Sequence, residues 1–228
     1  MNKTVVIIGG STGIGKALVE EAAERGCNVV CFSRSLDLMN NSFASYSNVH
    51  SYQLDLESVN KDQFESALKN HDPIDLLINN AGYLVNKSFD KLSKADLNKS
   101  FQINASGIIE VTQYALAYLN SSFSHIVNIS SMGAFQGSAK FPGLTAYSSS
   151  KAAICAFTEV FAEEYKNSSI KMNCLCLGAV QTAMLEKAFP GFKTEIKPKD
   201  MASYIYDFGM KQGRFLNGKI IPVSLTTP

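Results

Sequence analysis

Val5-Val6-Ile7-Ile8 runs without a break into Gly9-Gly10-Ser11-Thr12-Gly13-Ile14-Gly15. A short β-branched run that ends in clustered glycines reads as a buried strand turning sharply. Gly15–Glu24 then carries helical periodicity, and Gly26 stops it. A strand, a glycine turn and a helix in this order open a parallel α/β unit.

The same alternation continues along the chain. Strand-like runs are Thr4–Ile8, Asn28–Phe32, His50–Leu54, Leu76–Ile78, His125–Ile129, Lys171–Leu177 and Lys219–Ser224. Two long helices are expected at about Lys94–Leu119 and Ala146–Lys166. The expected architecture is α/β: a single-domain, doubly wound parallel sheet of Rossmann-like form, with about seven strands and helices on both faces. No repeat, low-complexity tract or linker divides residues 1–228. Ala183–Lys199, with Pro190, Gly191 and Pro198, lacks periodicity and reads as a loop or short lid.

Composition narrows the classes. Of 228 residues 46% are hydrophobic and 18% charged, which is the balance of a globular protein. Lys and Arg (21) nearly cancel Asp and Glu (20), so nothing favours a nucleic-acid partner. No apolar run is long enough to span a bilayer. Met1-Asn2-Lys3-Thr4 leads straight into the first strand without a cleavage region, and a cytoplasmic protein is expected. The five cysteines (27, 31, 155, 174 and 176) form no Cys-x-x-Cys pair. They read as small core residues in a reducing compartment, with no metal site expected. A redox role for Cys174 and Cys176, which share one face of a strand, is the alternative.

The glycine turn fits a pyrophosphate. The glycines (9, 13 and 15) let the backbone come close, and Ser11, Thr12 and Ile14 surround a helix start with unpaired N–H groups. A purely structural turn is the competing reading. Strand two ends in Cys31-Phe32-Ser33-Arg34, with no carboxylate for a ribose 2′-hydroxyl. A guanidinium pairs with a 2′-phosphate, so NADP(H) is preferred and NAD(H) remains possible. Arg34 as a solvated surface charge beside Asp37 is the other reading. Asp55 and Leu56 are candidates to meet the adenine, and Asp55 also reads as the N-cap of a helix at Ser58–Leu68. Asn79-Asn80-Ala81-Gly82 places small and turn-pinning residues at the end of strand four.

Tyr147-Ser148-Ser149-Ser150-Lys151 puts a phenol and an ammonium on one helix face. A neighbouring cation is expected to lower the phenol pKa toward neutrality. Ile126–Ser131 is a buried strand ending in hydroxyls. Ser131 is the candidate for a substrate oxygen, and Ser130 its competitor. Asn104 sits inside a long helix, where asparagine is disfavoured; a bend that places a water beside Lys151 would explain it. After strand six, Gly178, Val180 and Thr182 are candidates to hold a nicotinamide carboxamide.

Taken in order, Gly9-x-x-x-Gly13-x-Gly15, Asp55, Asn79–Gly82, Asn104, Ser131, Tyr147-x-x-x-Lys151, Asn173 and Gly178–Thr182 resemble the short-chain dehydrogenase/reductase family. The resemblance implies a proton relay of Ser131, Tyr147, Lys151 and Asn104, with Tyr147 protonating a carbonyl oxygen as a hydride arrives. It also implies a small-molecule carbonyl or alcohol substrate and a homodimer or homotetramer built on the two long helices. Ile108, Val111, Ala115 and Leu119 are candidates for that contact or for the core. A 3-oxoacyl-thioester reductase and a non-catalytic NADP-binding regulator are the alternative functions. Leu177 stands where the family usually has proline, the Ser131–Tyr147 gap is slightly long, and Ile220–Pro228 lacks a diglycine ending. Phe135, Phe141, Tyr83 and Phe189 suggest an apolar substrate.

Overall fold

The computed structural model describes residues 2–225. Residues 226–228 of the unusual C-terminal stretch lie outside the described residues. Seven parallel strands form one sheet: β1 (Thr4–Ile8), β2 (Asn28–Ser33), β3 (Val49–Gln53), β4 (Leu76–Asn79), β5 (Ser124–Ser131), β6 (Ile170–Leu177) and β7 (Ile220–Val223). Their order is β3-β2-β1-β4-β5-β6-β7. The strand order reverses between β1 and β4, and a crevice opens there beyond the strand ends.

Alternation along each strand divides the core. In β1, Val5 and Ile7 face one apolar layer, and Val6 and Ile8 face the other. The first layer is covered by α1 (Gly13–Glu24), α2 (Leu36–Phe43) and α8 (Pro198–Lys211). The second is covered by α3 (Lys61–Leu68), α5 (Gly107–Ala115) and α6 (Thr145–Glu164). α2 was not expected; only eight residues long, it buries Met39 and Phe43 against the first layer.

The long helix expected at Lys94–Leu119 is interrupted. α4 (Lys94–Phe101) gives way to a π-helical turn, Gln102–Ser106, before α5, and a 3₁₀ turn follows at Leu116–Tyr118. Asp55 does not cap α3. Asn60 does, accepting from the Gln63 N–H at 3.0 Å. The Ala183–Lys199 segment contains a six-residue helix, α7 (Ala183–Ala188), whose first turn is capped by Thr182. Its brevity hides it from periodicity. Ile108, Val111, Ala115 and Leu119 are all core residues of this chain. The exposed apolar residues of α4, α5 and α6 are instead Phe101, Ile109 and Val160.

Buried polar side chains tie the layers together. Asn79 on β4 donates to Asn128 on β5 (2.8 Å) and to Thr112 on α5 (3.0 Å). Asn128 donates onward to Thr158 on α6 at 2.9 Å. Asn173 on β6 donates to the His125 ring and to the Leu216 carbonyl, and accepts from the Lys219 N–H, each at 2.9 Å. His125 Nδ1 lies 2.7 Å from the Gly209 carbonyl. With Asn173 donating to Nε2, the ring is the neutral Nδ1–H tautomer.

Burial, opposed by the Gly209 carbonyl, lowers the His125 pKa to about 4. The unfolded chain protonates this imidazole near 6.5, the folded chain only near 4. Between those values the unfolded state holds more protons, so stability falls as pH drops from 6.5 to 4. The shift corresponds to about 3 kcal/mol. Chemical denaturation across this range should show a steeper pH dependence in the wild type than in His125→Gln, and equal slopes would exclude this origin.

Candidate active site

A cavity of about 610 Å³ occupies the crevice above β1 and β4. Its lining includes Gly9, Ser11, Thr12, Gly13, Ile14, Ser33, Arg34, Asp55, Leu56, Asn80, Ala81, Gly82, Ser131, Tyr147, Lys151, Gly178, Val180 and Thr182. Parts of the sequence far apart along the chain therefore meet on one surface. Gly15 and Asn104 do not line it; both support it from behind.

The glycine turn shows why. Gly9 has φ +92°, and a Cβ there would stand 2.6 Å from the Ala81 Cα. β1 and β4 can pass this closely only without that side chain. A Cβ on Gly15 would meet the Gly9 carbonyl oxygen at 1.9 Å, so this glycine seats α1 under the turn. Asn80 locks the arrangement by donating to the Gly9 carbonyl at 2.9 Å. The open N-terminal turn of α1 then faces the cavity, where Thr12 makes no side-chain cap. A dinucleotide's pyrophosphate fits this donor-rich, side-chain-free cradle.

At the end of β2, Ser33 donates to the Ser11 hydroxyl at 2.8 Å. Arg34 is exposed at the cavity edge and makes no ion pair among the described residues, so Asp37 does not neutralise it. Asp55 turns an oxygen back to the Glu57 N–H at 2.9 Å. The Leu56 carbonyl accepts from Gln102 at 3.1 Å.

Ser131, Tyr147 and Lys151 gather beyond the ends of β4 and β5. Ser131 and Tyr147 both line the cavity, and the Ser131 hydroxyl accepts from the Gly133 N–H at 3.3 Å. The intervening Gln136–Gly143 bulges outward and does not separate the two; Lys140 ties it to the Phe135 carbonyl at 2.6 Å. Ser130 is committed elsewhere, donating to the Lys151 carbonyl at 2.9 Å.

Lys151 is almost fully buried, and its ammonium donates to the carbonyls of Ile129 (2.8 Å) and Ala81 (3.3 Å). Burial lowers its pKa to about 8. Tyr147 departs from expectation: burial raises its pKa to about 12, against the opposing hydrogen bond from Ser131. Desolvation of a phenolate outweighs the favourable neighbours.

Asn104 lies in the π-helical turn. Its carboxamide clasps both backbone groups of Tyr83, accepting from N–H at 2.7 Å and donating to C=O at 2.8 Å, and it donates to Ser150 at 3.0 Å. Ser150 in turn donates to the Tyr147 carbonyl at 2.9 Å. A π-helical turn stands at Asn104, and its carboxamide links the Gly82–Tyr83 loop to the Tyr147 helix.

The outer cavity wall is apolar: Leu144, Phe141, Phe189, Phe192, Met184 and Leu185. Phe135 and Tyr83, expected there, pack against the second core layer instead. Ile103 and Met132 also line the cavity, and nothing in the sequence distinguished them from ordinary core residues.

A further finding lies just behind Lys151. Cys155 on α6 and Cys174 and Cys176 on β6 place their sulfurs within 4.8 Å of one another. α6 carries Cys155 over the strand face shared by the other two. Sequence spacing alone carries no sign of this meeting.

Asn104→Ala should strand the two Tyr83 backbone groups. Each buried unsatisfied group costs about 1–3 kcal/mol, so the urea midpoint should fall markedly. An unchanged midpoint would mean the clasp is not structural.

Comparison with known proteins agrees with this geometry. The short chain dehydrogenase family model matches residues 3–192. The chain is 28% identical over 241 residues to the 3-oxoacyl-[acyl-carrier-protein] reductase FabG of Aquifex aeolicus, covering 97% of this chain and 96% of that protein. It is 32% identical over 190 residues to the 3-amino-tetrahydro-pyrrolizinone reductase of Xenorhabdus hominickii, covering 81% of this chain and 64% of that protein. Among solved structures, ElxO with NADP bound superposes with TM-score 0.84 at 28% identity, covering 98% of this chain and 97% of that one. A short chain dehydrogenase from Salmonella enterica serovar Typhi shares the fold with TM-score 0.89 at 23% identity, covering 97% and 96%. The match to the family model spans most of the chain, and the chain belongs to the short-chain dehydrogenase/reductase family of oxidoreductases.

Proposed function

We infer that the protein is an NADP(H)-dependent oxidoreductase that interconverts a carbonyl and an alcohol. One observation carries the reading: Ser131, Tyr147 and Lys151 converge on the same cavity as the glycine turn and Arg34. Gly9, Ser11, Thr12, Gly13 and Ile14 would cradle the pyrophosphate, and Ser33 with Arg34 the 2′-phosphate. Asp55 and Leu56 would flank the adenine, and Asn80, Ala81 and Gly82 the adenosine ribose. Gly178, Val180 and Thr182 would border the carboxamide. When bound, the nicotinamide supplies the hydride.

The chain's own residues handle the proton. Burial keeps Tyr147 protonated at neutral pH, which is the state a donor to a carbonyl oxygen needs. Ser131, on the same cavity wall as that phenol, would steady the substrate oxygen as charge develops. Lys151, cationic at neutral pH, favours the phenolate left after transfer. Asn104 holds the Gly82–Tyr83 backbone in place beside Lys151.

A 3-oxoacyl thioester is the second substrate reading, favoured by the nearly full-length match to the Aquifex reductase. The exposed Phe101, Ile109 and Val160 on α4, α5 and α6 support assembly into a homo-oligomer through those helices.

NADPH consumption measured against ketones, aldehydes and 3-oxoacyl thioesters tests the activity. Tyr147→Phe should lower turnover by about 10²–10⁴-fold while NADPH still binds. Undiminished turnover would remove Tyr147 from the mechanism, and NADPH binding without turnover on any compound would favour a regulator. Arg34→Asp should weaken NADPH binding on the order of tenfold or more, as expected for a lost charge-assisted hydrogen bond, and NADH binding far less. Equal losses would make Arg34 a surface charge.

A further inference from the structure

The three-cysteine cluster has the dimensions of a metal site. Cys155 Sγ lies 4.0 Å from Cys174 Sγ and 3.8 Å from Cys176 Sγ, and all three sulfurs fall within 4.8 Å of one another. Three thiolates around one ion at a metal–sulfur distance of about 2.3 Å would stand about 3.8–4.0 Å apart. It is the one group of three or more such ligands found among the described residues. The sulfurs come from regular elements: Cys174 and Cys176 sit on the same face of β6, paired on both sides by β5 and β7, and Cys155 lies one turn beyond Lys151 on α6.

We propose that Cys155, Cys174 and Cys176 form a three-thiolate site for a soft d¹⁰ cation such as zinc or copper(I). Sulfur-only coordination selects soft ions over magnesium or calcium. Cys174 and Cys176 are fully buried and Cys155 is partly exposed, so the ion enters from the Cys155 side. Lys151, one turn before Cys155 on α6, supplies a nearby positive charge to offset the negative charge of the occupied site. Each thiol that ligates releases its proton to solvent, so binding strengthens as pH rises.

Cadmium(II) is a suitable probe, titrated into the full chain with the thiols held reduced by a phosphine. A stoichiometric thiolate-to-cadmium charge-transfer band in the ultraviolet is expected. It should be lost in Cys155→Ala and in Cys176→Ser, and retained in Cys27→Ser outside the cluster. Circular dichroism of each variant separates loss of the site from loss of the fold. No band under excess cadmium, or a band unchanged in folded Cys155→Ala and Cys176→Ser, would overturn the site. Because the readout does not involve turnover, it stands apart from the reductase reading.

Discussion

Gly9 and Ala81 meet backbone to backbone where β1 and β4 diverge, and the site depends on that approach. A Cβ at Gly9 would overlap Ala81, and one at Gly15 would overlap the Gly9 carbonyl. Without either side chain, the strand end, the start of α1 and the loop after β4 draw together. Asn80 then satisfies the Gly9 carbonyl that the turn exposes. The same contact positions the opposite wall. The Ala81 carbonyl, presented by this loop, is one of the two acceptors that receive the Lys151 ammonium. A loosened turn would therefore disturb the helix dipole end and the buried cation together.

The buried cation imposes a further demand. An ammonium removed from water needs compensating acceptors or it loses its proton. Two carbonyls supply part of that compensation, and burial still leaves the Lys151 pKa near 8. Tyr147 is pushed the other way by the same dry surroundings. The two shifts together favour a neutral phenol and an ammonium at pH 7, the pairing from which a proton would be given rather than taken. Asn104 contributes from behind. Its π-helical turn inserts an asparagine into a packed helix and uses three of its four hydrogen-bonding positions on Tyr83 and Ser150.

Much of this was legible from residues alone, for local reasons. Strand runs are short, apolar and bounded by turn formers, so all seven were found with ends off by a residue or two. The glycine turn and the Tyr147–Lys151 spacing state their geometry directly in the sequence. What stayed hidden depended on contacts between distant segments. α2 and α7 are too short for periodicity to mark them. The Lys94–Leu119 helix hid its π turn because nothing in the pattern shows that Asn104 faces the Tyr83 backbone. The sign of the Tyr147 shift was misread because helix spacing reveals the neighbouring ammonium but not the desolvation. Cys155 lies 19 residues from Cys174, and only the packing of α6 on β6 brings their sulfurs together.

The cavity is asymmetric, and the asymmetry assigns its two ends. Toward β2 it presents hydroxyls, open N–H groups and an unpaired guanidinium. Toward α7 it presents Phe141, Phe189, Phe192, Met184 and Leu144. Phe141, Phe192 and Met184 remain substantially exposed, an arrangement that favours covering them with an apolar ligand. At about 25 cal/mol per Å² of apolar surface removed from water, that wall can supply much of a substrate's affinity without specifying its orientation. Orientation must then come from the few polar groups at the junction. On the proposed reading, Ser131 and Tyr147 at that junction would receive the oxygen of a molecule held by its apolar body. The wall would then tolerate varied apolar bodies, whereas the polar pair would require an oxygen at one position.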